Sequence, residues 1–255
     1  MILAIDVGNT NIVLGCIEQG EIRDIVRIQT RPGETDAEYA IKLLQLLYIS
    51  GLDPKGFEGA ILSSVVPPVT GPMTRAVKKV TGLDCMVVGP GMKTGMNVRI
   101  DDPGTLAGDL LVGGVAALSC YGCPAIVMDL GTATTMTVID KDGCFRGGVI
   151  LPGVKLGYAA LASGTSLLPD ISITAPKKAV ATNTVDCMRA GAVFGTAATI
   201  DGLIDRMEEE LGYPCKRIAT GGLAAAIVPY CKREIVCDDD LLLKGLWALW
   251  QKNRK

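Results

Sequence analysis

Apolar runs of strand length alternate with helical spacings along the whole chain, and the series starts over halfway. In the first half, strands are predicted over 2–6, 11–17 and 22–29. An amphipathic helix follows from Asp36 to about Ile49, ended by Gly51. The β-branched run Ala60–Val66 stops at Pro67-Pro68, a helix spans about Thr70 to Val80, and Cys85–Val88 makes a short strand. Residues 89–104 read as a Gly/Pro-rich loop and Leu106–Cys120 as an apolar helix. The second half begins at Pro124 with three more strands to about Ile150, broken at Pro152-Gly153. A helix of small residues, an exposed loop around Leu168–Lys178 and a largely helical stretch over 182–211 follow, closed by Gly212. Arg217–Thr220 is a strand entering Gly221-Gly222; a short helix, a strand at Glu234–Cys237 and a helix from Asp238 complete the series. Strands separated by helices predict an α/β fold with a mixed sheet in each half. The boundary is placed near 115–124, giving domains 1–118 and 119–255, with a return of the C-terminal helix to the first half left open.

The restart is also written in the residues. Ile2-Leu3-Ala4-Ile5-Asp6-Val7-Gly8-Asn9-Thr10 is answered by Ala125-Ile126-Val127-Met128-Asp129-Leu130-Gly131-Thr132-Ala133. An offset of 123 places Asp6 on Asp129, Gly8 on Gly131, Gly20 on Gly143 and Arg23 on Arg146. One Asp-x-Gly turn is ordinary turn chemistry; two with the same Gly and Arg beyond them point to a duplicated strand–turn–strand unit. Each copy offers a carboxylate and a Gly-rich backbone turn, equipment suited to a nucleotide triphosphate and its Mg²⁺.

Composition narrows the chemistry. The chain has 255 residues, 49% hydrophobic, with net charge −2 and no block of like charge, which argues against charge-driven nucleic-acid or membrane binding. No N-terminal signal pattern and no apolar stretch of about 20 residues is present, so a soluble, cytoplasmic protein is expected. The absence of histidine excludes Ser-His-Asp and Cys-His catalysis and His-ligated zinc, leaving a carboxylate, Lys, Tyr, Cys or water as general base. Nine cysteines at irregular spacing include one CxxC, Cys120 and Cys123, without a second pair; free thiols packing as small apolar groups are favoured over a redox role. No P-loop and no strand-linked Gly-x-Gly-x-x-Gly occurs.

What does occur is Asp6-x-Gly-Asn-Thr, Asp129-Leu-Gly-Thr-Ala and Thr220-Gly221-Gly222-Leu223-Ala224. These resemble, in order, the two phosphate motifs and the adenosine motif of the superfamily of acetate and sugar kinases, heat-shock chaperones and actin. That resemblance implies two duplicated ribonuclease-H-like domains with mixed sheets and an ATP cleft between them. A closer resemblance, to the type III pantothenate kinases, runs from end to end. It is carried by Ser63-Ser64-Val65-Val66-Pro67, Gly89-Pro90-Gly91-Met92-Lys93-Thr94-Gly95, Asp129–Thr135, Gly147–Gly153, Asn183-Thr184 and Leu243-Lys244-Gly245-Leu246. It implies ATP-dependent phosphorylation of pantothenate in coenzyme A biosynthesis, a monovalent cation (K⁺ or NH₄⁺), and a homodimer with the pantothenate pocket at its interface.

The resemblance also implies roles. Asp6 works on Mg-ATP, and Val7, Gly8, Asn9, Thr10, Asn11, Ile12 and Val13 run along the phosphates, with Thr132 contacting them from the second turn. Asp129 ligates the monovalent cation. Asp109 is the general base, which orients the attacking hydroxyl and takes its proton late in phosphoryl transfer. Ile100, Ala107, Gly108, Asp109, Leu110 and Thr184 fall on the pantothenate side. On local chemistry alone, Thr184 could equally cap a helix, and Asp109 could be a helix-N-terminal acid.

The acceptor side departs from the family pattern Gly-x-Asp-Arg: the chain reads Ala107-Gly108-Asp109-Leu110, and position 100, often Tyr, is Ile100. Losing an Arg–carboxylate contact costs about 2–3 kcal/mol, roughly 30- to 150-fold in affinity. Lys93, Arg99 and Lys155 are candidate replacements. Besides pantothenate phosphorylation, two alternatives stand at this point: a kinase for another small hydroxylated acceptor, and a catalytically weak nucleotide-binding regulator.

Overall fold

The computed structural model describes residues 1–254. Two compact units emerge: unit 1 holds Met1–Gly95, Asp101–Cys120 and the chain from Leu241, and unit 2 holds Met96–Ile100 and Tyr121–Asp240.

In chain order, β1 (Ile2–Val7), β2 (Asn11–Glu18) and β3 (Glu21–Gln29) lead to α1 (Asp36–Ile49), β4 (Gly59–Ser64), α2 (Pro67–Thr81) and β5 (Cys85–Val87). Next come β6 (Asn97–Val98), α3 (Gly108–Cys120), β7 (Ala125–Leu130), β8 (Ala133–Ile139), β9 (Cys144–Pro152) and α4 (Val154–Ser163). The remainder is α5 (Thr184–Ala190), α6 (Thr196–Leu211), β10 (Lys216–Thr220), α7 (Ala224–Ile227), β11 (Val236–Cys237) and α8 (Leu241–Asn253).

The sheet of unit 1 runs β3-β2-β1-β4-β5; that of unit 2 runs β9-β8-β7-β10-β11, with β6 added beside β9. In both, the first strand pairs antiparallel to its hairpin partner and parallel to the strand on its other side. The repeat legible in the residues is therefore a repeat of topology. Gly20 and Gly143 both sit at positive φ, +89° and +73°, where a side chain is disfavoured, at the hairpin turns that the 123-residue offset equates. The turns after the two aspartates differ: Asp6 pairs with Val13 but Asp129 with Thr135, so the second is one residue shorter.

Strand periodicity splits the faces of unit 1. Leu3, Ile5 and Val7 of β1 and Ala60 and Leu62 of β4 join Tyr39, Leu43, Met73 and Val77 from α1 and α2 in one core. The opposite face carries Ile2, Ala4 and Asp6 beside Gly59, Ile61 and Ser63, covered by α3 and α8. There, Gly245 of α8 lets the two helices approach until a Cβ would stand 2.8 Å from a Val112 methyl, and a Cβ on Gly59 would meet Trp250. This packing draws the C-terminal helix into unit 1, whereas the sequence boundary grouped all of 119–255 together. Unit 2 is built likewise: Ile126, Met128 and Leu130 of β7 pack with Val193, Ile200 and Ile204 under one face.

Other departures are local. Helix α2 begins at Pro67, where the proline pair reads as a stop; at the first helical position proline forfeits no hydrogen bond. The Gly/Pro loop hides β6, too short to show a period, which pairs with β9. The stretch over 182–211 starts at Thr184 and contains a π turn at Gly191–Gly195. Helix α8 starts at Leu241 because Asp238 is buried, accepting a hydrogen bond from the Tyr121 hydroxyl at 2.7 Å.

Candidate functional site

In unit 1 the site is a strand end, a turn and a helix start. β1 delivers half-buried Asp6 to its C-terminal end. The following turn is closed by Gly8 N–H to the Asn11 carbonyl at 3.0 Å, and it is pinned from just beyond β3, where the Thr30 hydroxyl donates to the Gly8 carbonyl at 2.6 Å. Asn9, Thr10 and Asn11 are exposed on this turn, while Val7 and Ile12 are buried in the core and can meet a ligand only through backbone groups. The parallel register sets Ser63 of β4 abreast of Asp6 on the same sheet face, Cα atoms about 4.8 Å apart. A Cβ on Gly108 would lie 3.2 Å from the Ser63 hydroxyl. Asp6 and the start of α3, with Asp109, thus converge on Ser63.

Asp109 is half-buried in the first turn of α3, where its carboxylate accepts the Leu110 N–H at 2.8 Å. Burial pushes its pKa above the ordinary carboxylate value; backbone hydrogen bonds from Leu110 and its own N–H pull the other way and lose. Such a carboxylate is suited to taking a proton. Ala107 and Leu110 flank it, both half-buried.

In unit 2 the same construction recurs. Half-buried Asp129 ends β7 with Thr220 of β10 abreast of it, as Ser63 is of Asp6. The turn is held by Gly131 N–H to the Ala133 carbonyl at 3.0 Å and by Gly153 N–H to the Thr132 carbonyl at 3.1 Å; Thr132 is exposed. Gly221, at φ +92°, packs so closely that a Cβ would fall 2.3 Å from an Asp129 carboxylate oxygen and 2.7 Å from the Leu130 nitrogen. The adenosine-like Thr-Gly-Gly segment and the Asp129 turn are therefore one assembly, which the sequence showed only as separate motifs. Ile100 lies beyond β6, its methyl 3.7 Å from the Cβ position of Gly147. Thr184 opens α5 and is exposed; the cap is Asn183, whose side chain accepts the Asp186 N–H at 2.9 Å, so Thr184 is free of the capping role it could have had.

The donor set suits a metal brought in by a nucleotide. Among the described residues no three His, Cys, Asp or Glu side chains gather into a metal cage. Mg²⁺ is commonly held through one or two carboxylates, waters and substrate phosphates, and Asp6 beside an open turn fits that pattern. Among the described residues no helix is long and apolar enough to cross a membrane. The nine cysteines are free thiols; Cys123 donates to the Lys141 carbonyl.

Two mixed sheets of one topology, each ending its first strand in an aspartate and a glycine turn, define the class: an α/β fold of two duplicated ribonuclease-H-like domains. Solved structures of that fold superpose on the chain. They include a Baf family protein from Campylobacter jejuni, 19% identical with TM-score 0.57 over 98% of both chains. Component A of (R)-2-hydroxyglutaryl-CoA dehydratase from Acidaminococcus fermentans is 14% identical with TM-score 0.56, covering 97% of this chain and 95% of that one. In sequence, the type III pantothenate kinase of Bifidobacterium animalis subsp. lactis is 42% identical over 99% of this chain and 100% of its own length. The sequence pattern of the type III pantothenate kinases matches residues 2–206, and the chain belongs to that family.

Proposed function

We propose that this protein phosphorylates pantothenate with Mg-ATP, the first step of coenzyme A biosynthesis, in the cytoplasm, and that the sites above do the work. Membership of the family supports the reaction. The observation that carries the residue assignment is the convergence of Asp6 and the Asp109 turn on Ser63. A phosphate-side carboxylate and a proton-accepting one then serve one reaction.

Asp6 holds the magnesium of Mg-ATP, directly or through its waters, and the turn through Val13 and the exposed Thr132 contact the phosphates. Asp129 ligates K⁺ or NH₄⁺. Asp109 orients the primary hydroxyl of pantothenate and accepts its proton as the bond to the γ-phosphorus forms and the bond to the ADP oxygen breaks. Ile100, Ala107, Gly108, Leu110 and Thr184 line the acceptor. The homodimer is supported by the apolar exposure of α4 and the segment after it: Leu156 is 55%, Leu161 41% and Leu167 90% exposed, beside a cavity of about 700 Å³. A second copy would cover this surface, and Leu156→Asp should shift the sedimentation profile to monomer; an unchanged profile removes α4 from the interface.

Leu110 favours one other reading, a small hydroxylated acceptor without a carboxylate, since an alkyl group cannot hold one. The deciding experiment measures ADP release and product mass with pantothenate, with and without potassium or ammonium. Pantothenate-dependent ADP release with a phosphorylated product is expected; none at millimolar pantothenate would overturn the assignment of acceptor.

A further inference from the structure

Ser63 is fully buried, and its hydroxyl has no hydrogen-bond partner among the described residues. An unsatisfied buried hydroxyl is costly to a fold and uncommon. Packing does not demand a polar residue there: Ser63 follows the apolar run Gly59–Leu62 of β4, and it lies on the face covered by α3 and α8 rather than in the α1 and α2 core. Two groups lie within its reach. Asp6 is its register partner across the parallel pair, and the first turn of α3 stands against it at Gly108. A hydroxyl carries one donor and two acceptor sites, and the opening amides of a helix have no intrahelical acceptor.

We propose that Ser63 is a positioning residue of the nucleotide site: its hydroxyl donates to the Asp6 carboxylate and accepts from the opening backbone of α3. Rotation of Ser63 and Asp6 forms the bond when Mg-ATP fixes the carboxylate. One carboxylate oxygen is then held by Ser63 and the other is turned to the metal. The same hydroxyl ties the strand end that bears Asp6 to the helix turn that bears Asp109. Unit 2 sets Thr220 abreast of Asp129 in the same register, so the hydroxyl beside the strand-end aspartate is a feature of both repeats. The proposal rests on Asp6 being the magnesium carboxylate, as assigned above.

The test is binding of a fluorescent N-methylanthraniloyl ATP as a function of Mg²⁺, with melting curves, for the wild type, Ser63→Ala, Ser63→Cys and Asp6→Asn. For Ser63→Ala, the Mg²⁺ midpoint should rise about tenfold, the lower end for a hydrogen bond to a charged group. Nucleotide affinity in EDTA should not change, and the melting temperature should hold or rise, because a structural hydroxyl would lower it. Turnover should fall by a similar factor with the KM for pantothenate within about twofold. Ser63→Cys keeps a weaker donor of similar size and should shift the midpoint about threefold; it decides the matter if the alanine variant does not fold. A midpoint unchanged by either substitution, while Asp6→Asn shifts it, overturns the role of Ser63 and leaves the reading of Asp6 standing. A midpoint unchanged in Asp6→Asn as well overturns both. Because the binding readout needs no acceptor, it holds whether or not pantothenate is the acceptor.

Discussion

Gly221→Ala tests whether the Thr-Gly-Gly segment and the Asp129 turn are one assembly. At φ +92° an alanine is strained by about 1–2 kcal/mol before it touches anything. Its Cβ would then fall 2.3 Å from the Asp129 carboxylate and 2.7 and 2.8 Å from the Leu130 nitrogen and carbonyl carbon. The carboxylate can swing away, but backbone cannot, and overpacking of this kind adds about 1–3 kcal/mol. The sum, about 3 kcal/mol, predicts a fall in melting temperature of roughly 6–12 °C for a chain of this size. Gly222 is the control next door: a Cβ there meets nothing within 4 Å, and its φ is ordinary. Gly222→Ala should stay within about 0.5 kcal/mol of the wild type. Thermal and urea unfolding report the stability; turnover is measured well below the variant's melting temperature. Because Asp129 must move to admit the methyl, Gly221→Ala should lose activity even where it is fully folded, and Gly222→Ala should not. Equal melting temperatures for the two variants, or full turnover in Gly221→Ala, would refute the reasoning.

Asp109→Asn should abolish phosphoryl transfer and leave nucleotide binding nearly intact; equal loss of both, by calorimetry and turnover, would count against the base. Burial raises the Asp109 pKa, so activity should fall, as pH drops, at a value above that of an ordinary aspartate. The folded state holds this proton more tightly than the unfolded chain, so the carboxyl's contribution to stability is full below the ordinary value and is lost as pH rises through the raised one. Asp109→Asn should accordingly gain melting temperature at neutral pH, a gain that shrinks under acid. Asp129→Ala should weaken dependence on potassium or ammonium along with turnover; full wild-type activity in a Tris-only buffer would remove the cation role. Leu110→Arg should lower the KM for pantothenate with less effect on kcat, because a remote carboxylate contact is made equally in ground and transition states. A stable variant with unchanged KM would show that another cation already holds the carboxylate or that pantothenate is not the acceptor.

Much of this was open to reading because the repeat is local in sequence. Strand–turn–strand units with their aspartates and glycines specify themselves within about 25 residues, and both appear where the pattern places them. The start of α2 at Pro67 and the two-residue β6 were not legible, the first because proline's missing N–H costs nothing in the first turn of a helix, the second because two residues have no period. Side-chain partnerships across the chain were the least visible. Nothing in the order of residues says that Ser63 stands abreast of Asp6, or that Gly221 presses on Asp129; both follow from the parallel pairings β1–β4 and β7–β10, which join segments tens of residues apart. The capping alternative for Thr184 fell to its neighbour Asn183, a better cap one residue earlier.

The return of α8 to unit 1 governs the order in which the chain can be assembled as it is synthesised. Leu241, Leu243, Leu246, Leu249 and Trp250 are buried, and they cover the sheet face that carries Ala4 and Ile61. Residues 121–240, nearly all of unit 2, are synthesised as one uninterrupted block before α8 is. Unit 1, though begun first, has only α3 to cover that face until α8 is made. The half of the protein translated first is therefore the half completed last.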